Sequence, residues 1–540
     1  MFVSAKKFLL FTTCITELAV ATCDPDPVVD LGYVKYRGVY NNATDQNEWH
    51  GIHYAQPPVG HLRWNQPRPI EEKNSFNGQI LSAAEYGFNC PQMAPPTIPV
   101  AVAGVLNNTS EDCLLLDIYV PAKPVSTSLP VMVNLHGGGY TIGGASAYQG
   151  GGIVYQSHGN MIYVVAQYRL GMFGFLAGSE VMANGVANAG LLDQRAALMW
   201  VQRNIRAFGG DPSRVTLYGA SAGGGSVIYQ LIGNGGSETV PFSAAIAELP
   251  WVQPLMNLSS QNIQYQNILS LANCTSLTCL RSLDSETLKT LNQEQGDKFF
   301  PNPGYGQGTF GYGPVVDGQF VRELPSQAFR QGNFAKVPLL TDHDAYEGVM
   351  FSDPNVTTQV AEAQDARFLF PNAGTSFFGR LFQLYPRSNF NSTFFQRQTW
   401  FGDVVVNCPT YYAASAYTDH GLNQSAVFKL VFDAGSQLHG ATVAFIMSEG
   451  TDWDGANNKT LARIMSDYYI SFVVAHDPNV LRTAGAPFWK SYIDTSAASV
   501  NGTASSNVLS VTYNSISNEQ DPDASAQCDF FYSRDTIVSN

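Results

Sequence analysis

Residues 216–227 read TLYGASAGGGSV, with Ser221 at the centre. The preceding run RVTLY (214–218) has the β-branched and aromatic character of a strand, and a helical stretch follows the serine. Where a strand turns straight into a helix, only Gly or Ala fits beside the serine; the turn is strained and the hydroxyl stands exposed. A bare Gly-x-Ser-x-Gly match carries little weight in a chain with 49 glycines among 540 residues. The strand and helix on either side give this one its meaning, and an upstream element supports it.

That element follows the apolar stretch LPVMVNL (129–135): His136-Gly137-Gly138-Gly139-Tyr140. Without Cβ atoms, the backbone N–H groups of such a loop can turn inward to meet negative charge. Acyl transfer builds that charge on a carbonyl oxygen, and preorganised N–H donors stabilise it. The expected donors are the N–H groups of Gly138, Gly139 and Ala222. A phosphate-cradling reading of the same glycines fails, because no Lys-Ser/Thr pair follows and no acidic ribose partner is evident.

Six ordered blocks then carry a resemblance: YRGVYNNATDQNEWHGIHYAQPPVGHLRW (36–64), SEDCLLLDIYVP (110–121), LHGGGY (135–140), YRLGMFGFL (168–176), NAGLLDQRAALMWVQRNIRAFGGDPSRVTLYGASAGG (188–224) and DAYEG (344–348). On these the chain resembles the type-B carboxylesterases, the α/β-hydrolase family that includes cholinesterases and secreted fungal lipases. The resemblance implies an α/β fold with a large central, mostly parallel mixed sheet flanked by helices.

In α/β-hydrolases the nucleophile, acid and histidine follow one another along the chain. Three histidines come after every plausible acid: His420, His439 and His476. His439 lies in a small-residue loop (435–440, GSQLHG) after the strand-like VFKLVF (427–432), and it matches the family's His-Gly position. His476 is expected to end a helix and His420 to sit in a polar turn. For the acid, Glu347 follows the strand-like VPLLT (337–341) and precedes Gly348, as the family pattern has it. Asp342 and Asp344 are chemical rivals, since any of these carboxylates could orient an imidazole. The choice of Glu347 therefore rests on the resemblance.

Two positions depart from the family pattern. Ala220 stands where the family usually has Glu, which argues against a choline-ester preference. Thr442 stands three residues beyond His439, where Asp or Glu is frequent, and substrate fit is expected to differ there.

Composition agrees with a large enzyme. The chain is 45% hydrophobic and 13% charged, with no linker, repeat or low-complexity tract, so one hydrolase domain is expected over residues 22–540. The formal charge of −14 and the lack of a basic run beyond the N-terminus exclude nucleic acid as the main partner. Lys6, Lys7, the apolar stretch 8–20 and the small-residue site Ala19-Val20-Ala21 predict a signal peptide over residues 1–21. That stretch is too short for a membrane anchor. Ten glycosylation sequons, at Asn42, Asn107, Asn108, Asn257, Asn273, Asn355, Asn391, Asn423, Asn458 and Asn501, fit a secreted, extracellular protein.

Without Cys14, seven cysteines remain, so at least one is not paired within the chain. The resemblance implies Cys90 with Cys113, Cys274 with Cys279 and Cys408 with Cys528, leaving Cys23 over. The apolar, proline-punctuated segment 93–106 inside the first of these loops reads as a lid or gorge wall outside the core. No metal motif is present and no cofactor is implied.

The expectation is a secreted serine hydrolase of carboxylic esters with Ser221 as nucleophile, His439 as base and Glu347 as its orienting acid. A lipase acting on long-chain or steryl esters is the alternative within enzymes. A cholinesterase-like binding protein that has lost catalysis is the alternative of another class.

Overall fold

In the computed structural model the described residues are 26–76, 78–94, 104–236, 239–299, 310–421, 426–447, 452, 455–493 and 506–540. Strand runs without polar alternation, such as LPVMVNL and VTLYGA, belong to a sheet covered on both faces. Fourteen strands form: β1 (Val28–Asp30), β2 (Lys35–Arg37), β3 (Val39–Asn41), β4 (Gln46–His53), β5 (Ile80–Ser82), β6 (Leu115–Pro121), β7 (Leu129–Leu135), β8 (Ile162–Ala166), β9 (Gly210–Ala220), β10 (Ala244–Glu248), β11 (Leu339–Asp344), β12 (Val427–Asp433), β13 (Asn507–Thr512) and β14 (Ile516–Gln520).

Eleven of them make one sheet in the order β14-β13-β12-β11-β10-β9-β7-β8-β6-β4-β3, while β1, β2 and β5 form a small second sheet. From β8 through β7 and β9 to β13 every pairing is parallel; both flanks are antiparallel. This is the mixed, mostly parallel α/β sheet of an α/β-hydrolase fold.

Side chains of one strand feed opposite layers. Val131, Val133, Leu135, Val215 and Leu217 join one apolar cluster, whereas Met132 and Tyr218 join the cluster on the other face. The helices Ala189–Asn204 and Ala222–Gly236 pack on the first face and Lys459–Ala475 on the second. Within β12, the third strand from the β14 edge, Lys429 is fully buried and donates from Nζ to Asp521 (2.7 Å) and Asp523 (2.6 Å), which ties this side of the sheet to the segment after β14. Pairing each buried charge offsets the cost of taking it out of water.

Disulfides join Cys90 to Cys113, Cys274 to Cys279 and Cys408 to Cys528, with Cα separations of 5.0, 5.6 and 5.1 Å. Cys23, the signal segment and the sequons at Asn423 and Asn501 lie outside the described residues. So do residues 95–103 of the expected lid. At its ends the expectation is corrected in part: Met93 and Val105 are buried, Met93 because its N–H donates to Thr141 O (2.8 Å) and its side chain packs beside Gly296, whereas Gly104 and Leu106 are exposed as expected.

Candidate active site

In open α/β sheets, functional groups gather beyond the carboxyl ends of the strands. Here β7 runs into the glycine loop, β9 into Ser221, β11 into Glu347 and β12 into the loop of His439.

Ser221 has φ 59°, a left-handed conformation that a non-glycine residue adopts at a cost. The surroundings enforce it. A Cβ on Gly223 would lie 1.9 Å from the carbonyl oxygen of Leu135, and one on Gly219 would lie 2.4 Å from the backbone of Gly223. Strand and helix thus approach closer than any side chain allows. Outside the turn, Ser221 N donates to Glu248 O (3.1 Å), and Ser221 O accepts from Trp251 N (2.9 Å) and Gly225 N (2.8 Å).

Ser221 Oγ donates to Nε2 of His439 over 2.9 Å. The Nδ1–H of His439 in turn donates to Oε2 of Glu347, a buried carboxylate whose Oε1 accepts the Asp344 N–H at 2.6 Å. The structure thus brings Ser221, His439 and Glu347 into one hydrogen-bonded relay.

Neither rival carboxylate reaches the imidazole in the bonds it makes. Asp342 accepts the Leu249 N–H at 3.0 Å and the Tyr469 hydroxyl, and burial pushes its carboxyl up to about 7. Asp344 accepts from Ala441 N, Thr442 N and Thr442 Oγ; burial, and then Glu347, raise its carboxyl well above the ordinary range. Glu248, in register with Asp342 across β10 and β11, is also raised by burial and accepts the Tyr218 hydroxyl. His420 and His476 lie elsewhere. His420 sits in the turn that ends the helix Cys408–Asp419, as expected, and bonds Phe329 O (3.0 Å). His476 caps Lys459–Ala475 at φ 57°.

The glycine loop lies against the serine: a Cβ on Gly137 would come within 3.2 Å of Ser221 Cβ. Gly137 O faces Nδ1 of the buried His136 (2.9 Å), and Gly138 O accepts from Thr141 N (3.1 Å) and Ile142 N (3.0 Å). A planar trans peptide points its N–H opposite to its C=O. The N–H groups of Gly138 and Gly139 therefore face away from those partners. Ser221 O is engaged in the same manner, which turns the Ala222 N–H outward at the first turn of its helix, where no intrahelical acceptor exists. Gly138 and Gly139 have φ 112° and 62°. A Cβ on Gly139 would strike the Phe310 ring at 2.3 Å.

Sequence reasoning missed the aromatic wall around the relay. Phe351 and Trp251 sit edge-on to the His439 ring with centroids 4.9 and 6.1 Å away, and Trp251 also meets Phe351 (4.3 Å), Phe310 (5.4 Å) and Phe401 (6.1 Å). Buried Arg397 fixes the wall by donating to Phe351 O (2.9 Å) with its guanidinium 4.1 Å from the Phe401 ring centre. No local pattern marks these rings, since they come from four separated segments.

Comparison with known proteins agrees with this fold. A carboxylesterase of Penicillium expansum, patB, is 31% identical over 86% of this chain and 90% of its own length. Secreted lipase 1 of Botryotinia fuckeliana is 32% identical over 86% and 88%. Among solved structures, Aspergillus niger EstA superimposes with a TM-score of 0.81 at 29% identity, covering 95% of this chain and 99% of that one. The sequence profile of the carboxylesterase family matches residues 25–530. With a match of that extent over an α/β-hydrolase sheet, the chain belongs to the carboxylesterase family and is a carboxylic ester hydrolase.

Proposed function

We propose that the chain hydrolyses carboxylic esters through an acyl-serine formed on Ser221, and that it acts outside the cell as one hydrolase domain over residues 22–540 after removal of residues 1–21. The relay Ser221–His439–Glu347 is the observation that carries the reading. Ser221 Oγ attacks the ester carbonyl while its proton passes to Nε2 of His439. Glu347 holds the ring in the right tautomer and stabilises the imidazolium.

The carbonyl oxygen becomes an oxyanion facing the N–H groups of Gly138, Gly139 and Ala222. Each such donor in a comparable enzyme is worth about 10²–10³ in turnover. When the tetrahedral adduct collapses, His439 returns the proton to the leaving alcohol. Water repeats the sequence on the acyl-serine, releasing the acid and restoring the Ser221 hydroxyl. No step requires a metal or cofactor.

The relatives include both carboxylesterases and lipases, so the substrate range here is ester-type, from simple carboxylic esters to lipid esters. Three disulfides favour an oxidising compartment, and among the described residues no helix is long and apolar enough to cross a membrane. The test is turnover of p-nitrophenyl esters from acetate to palmitate by the wild type and Ser221→Ala. Hydrolysis in the first and none in the second is expected; equal rates overturn the reading. N-terminal sequencing and a glycosidase gel shift of exported protein test secretion, with an intact Met1 and no shift as the opposing result.

A further inference from the structure

The segment that carries Glu347 and the loop that carries His439 are fastened together on both sides of the histidine. Two residues before His439, Gln437 O accepts the Tyr346 N–H at 2.9 Å. Beyond it, the Asp344 carboxylate takes the Ala441 N–H (2.9 Å) on one oxygen and the Thr442 N–H (3.1 Å) and hydroxyl (2.5 Å) on the other. The backbone N–H of the same Asp344 donates to Oε1 of Glu347 at 2.6 Å. Asp344 is thus bonded to the imidazole's carboxylate partner and to the turn that follows the imidazole.

Within the turn the Ala441 N–H is shared with Leu438 O (2.8 Å), so Asp344 adds to one internal bond that spans His439 and is the side-chain acceptor for the Thr442 N–H and hydroxyl. Gly440 adopts φ 91° with open space where a Cβ would stand, so packing does not fix the chain between His439 and Ala441. Asp344 itself is fully buried. Deleting its acceptors would strand the buried Thr442 N–H and hydroxyl where water does not replace them.

We propose that Asp344 is a positioning residue for ester hydrolysis, clamping Ala441 and Thr442 so that His439 Nε2 stays at bonding distance from Ser221. The proposal rests on the reading of Ser221, His439 and Glu347 given above. Asp344 touches neither substrate nor imidazole. It acts through the turn, and a drift of the ring by an ångström is enough to cost about 100-fold in rate.

Three substitutions test it in the full-length protein. Asp344→Asn keeps the shape but turns an NH2 group toward donors. Thr442→Val deletes one hydroxyl, and Thr442→Ser restores it. The readouts are kcat per active site titrated with a fluorophosphonate, KM, and Tm. Asp344→Asn is expected to lower kcat by about 10- to 100-fold with KM within about two-fold of wild type. Thr442→Val is expected to lower kcat several-fold, and Thr442→Ser to behave like wild type. If Asp344→Asn does not fold, the valine and serine pair decides by the same criterion.

Wild-type kcat per titrated site in Asp344→Asn and Thr442→Val overturns the proposal, as does a rise in KM that accounts for the whole loss. Ser221→Ala separates the two levels. Activity surviving in Ser221→Ala removes the underlying reading; a dead Ser221→Ala beside fully active Asp344→Asn and Thr442→Val removes only the clamp.

Discussion

Ser221 sits in a turn built mostly by its own neighbours: Gly219, Gly223 and Gly225 let strand, turn and helix touch, and the segment from Glu248 to Trp251 closes the bracket. His439 and Glu347 are 92 residues apart and meet only because two loops are stitched by hydrogen bonds among buried polar groups. The first region is rigid through excluded volume, which neither acid nor small polar changes relieve. The second is rigid through donors and acceptors, which a single atom can unbalance. Steric rigidity should therefore fail all at once, and hydrogen-bonded rigidity by degrees.

The largest effect is expected where both regions meet. Ser221→Ala removes the nucleophile without crowding the turn, so turnover should fall by at least about 10³-fold and on the scale of about 10⁴–10⁶-fold, with an unchanged circular dichroism spectrum. Measurable turnover in that variant would separate the turn from the chemistry altogether. Next comes the acid. Glu347→Gln should lower kcat by about 10³–10⁴-fold, whereas Asp342→Asn, whose side chain faces Leu249 and Tyr469, should cost less than about 10-fold. A reversed order would move the acid five residues back into β11 and break the comparison.

The steric side is sharpened by a pair of glycines. Gly223→Ala forces a Cβ to 1.9 Å from Leu135 O and should lower stability by about 3 kcal/mol or more, read by denaturant melts. Gly209→Ala has nothing within 4 Å of the added carbon and only the strain of φ 84° to bear, so about 1 kcal/mol is expected. Similar losses in both would show that the close approach at Gly223 relaxes at little cost.

The remaining effect depends on pH. His136 is fully buried under the glycine loop and burial lowers its pKa from 6.5 to about 4. The unfolded chain therefore binds this proton more readily than the folded one. Its contribution is complete above pH 6.5, declines as pH falls from 6.5 to about 4, and reaches on the order of 3 kcal/mol. His136→Asn, which can keep a donor to Gly137 O, should flatten that part of the stability profile. An identical slope in both proteins would show that other groups account for it.

What could be read from the sequence follows the same division. The strand, turn and helix around Ser221 and the glycine run after β7 are contiguous, and their geometry is written in residue size. The large mixed sheet, too, could be inferred from ordered blocks and uninterrupted apolar strands. Asp342 and Asp344 could not be separated from Glu347 by chemistry, because the groups that engage them, Tyr469 and Thr442, lie 127 and 98 residues away. The aromatic wall and the burial of Met93 were hidden for that reason too: a proline-marked apolar segment looks like a surface loop until Thr141 takes its backbone.

One more consequence follows from the lock on Lys429. During synthesis the nucleophile and its glycine loop emerge well before the base, which follows Ser221 by 218 residues. The strand leading to that base pairs with β13, and its buried cation is neutralised by Asp521 and Asp523. Parallel pairings this distant in sequence form late. A chain still being made therefore carries a serine with no proton acceptor, and the ester-cleaving machinery assembles as the final strands are delivered, so a growing polypeptide stays chemically idle toward the esters around it.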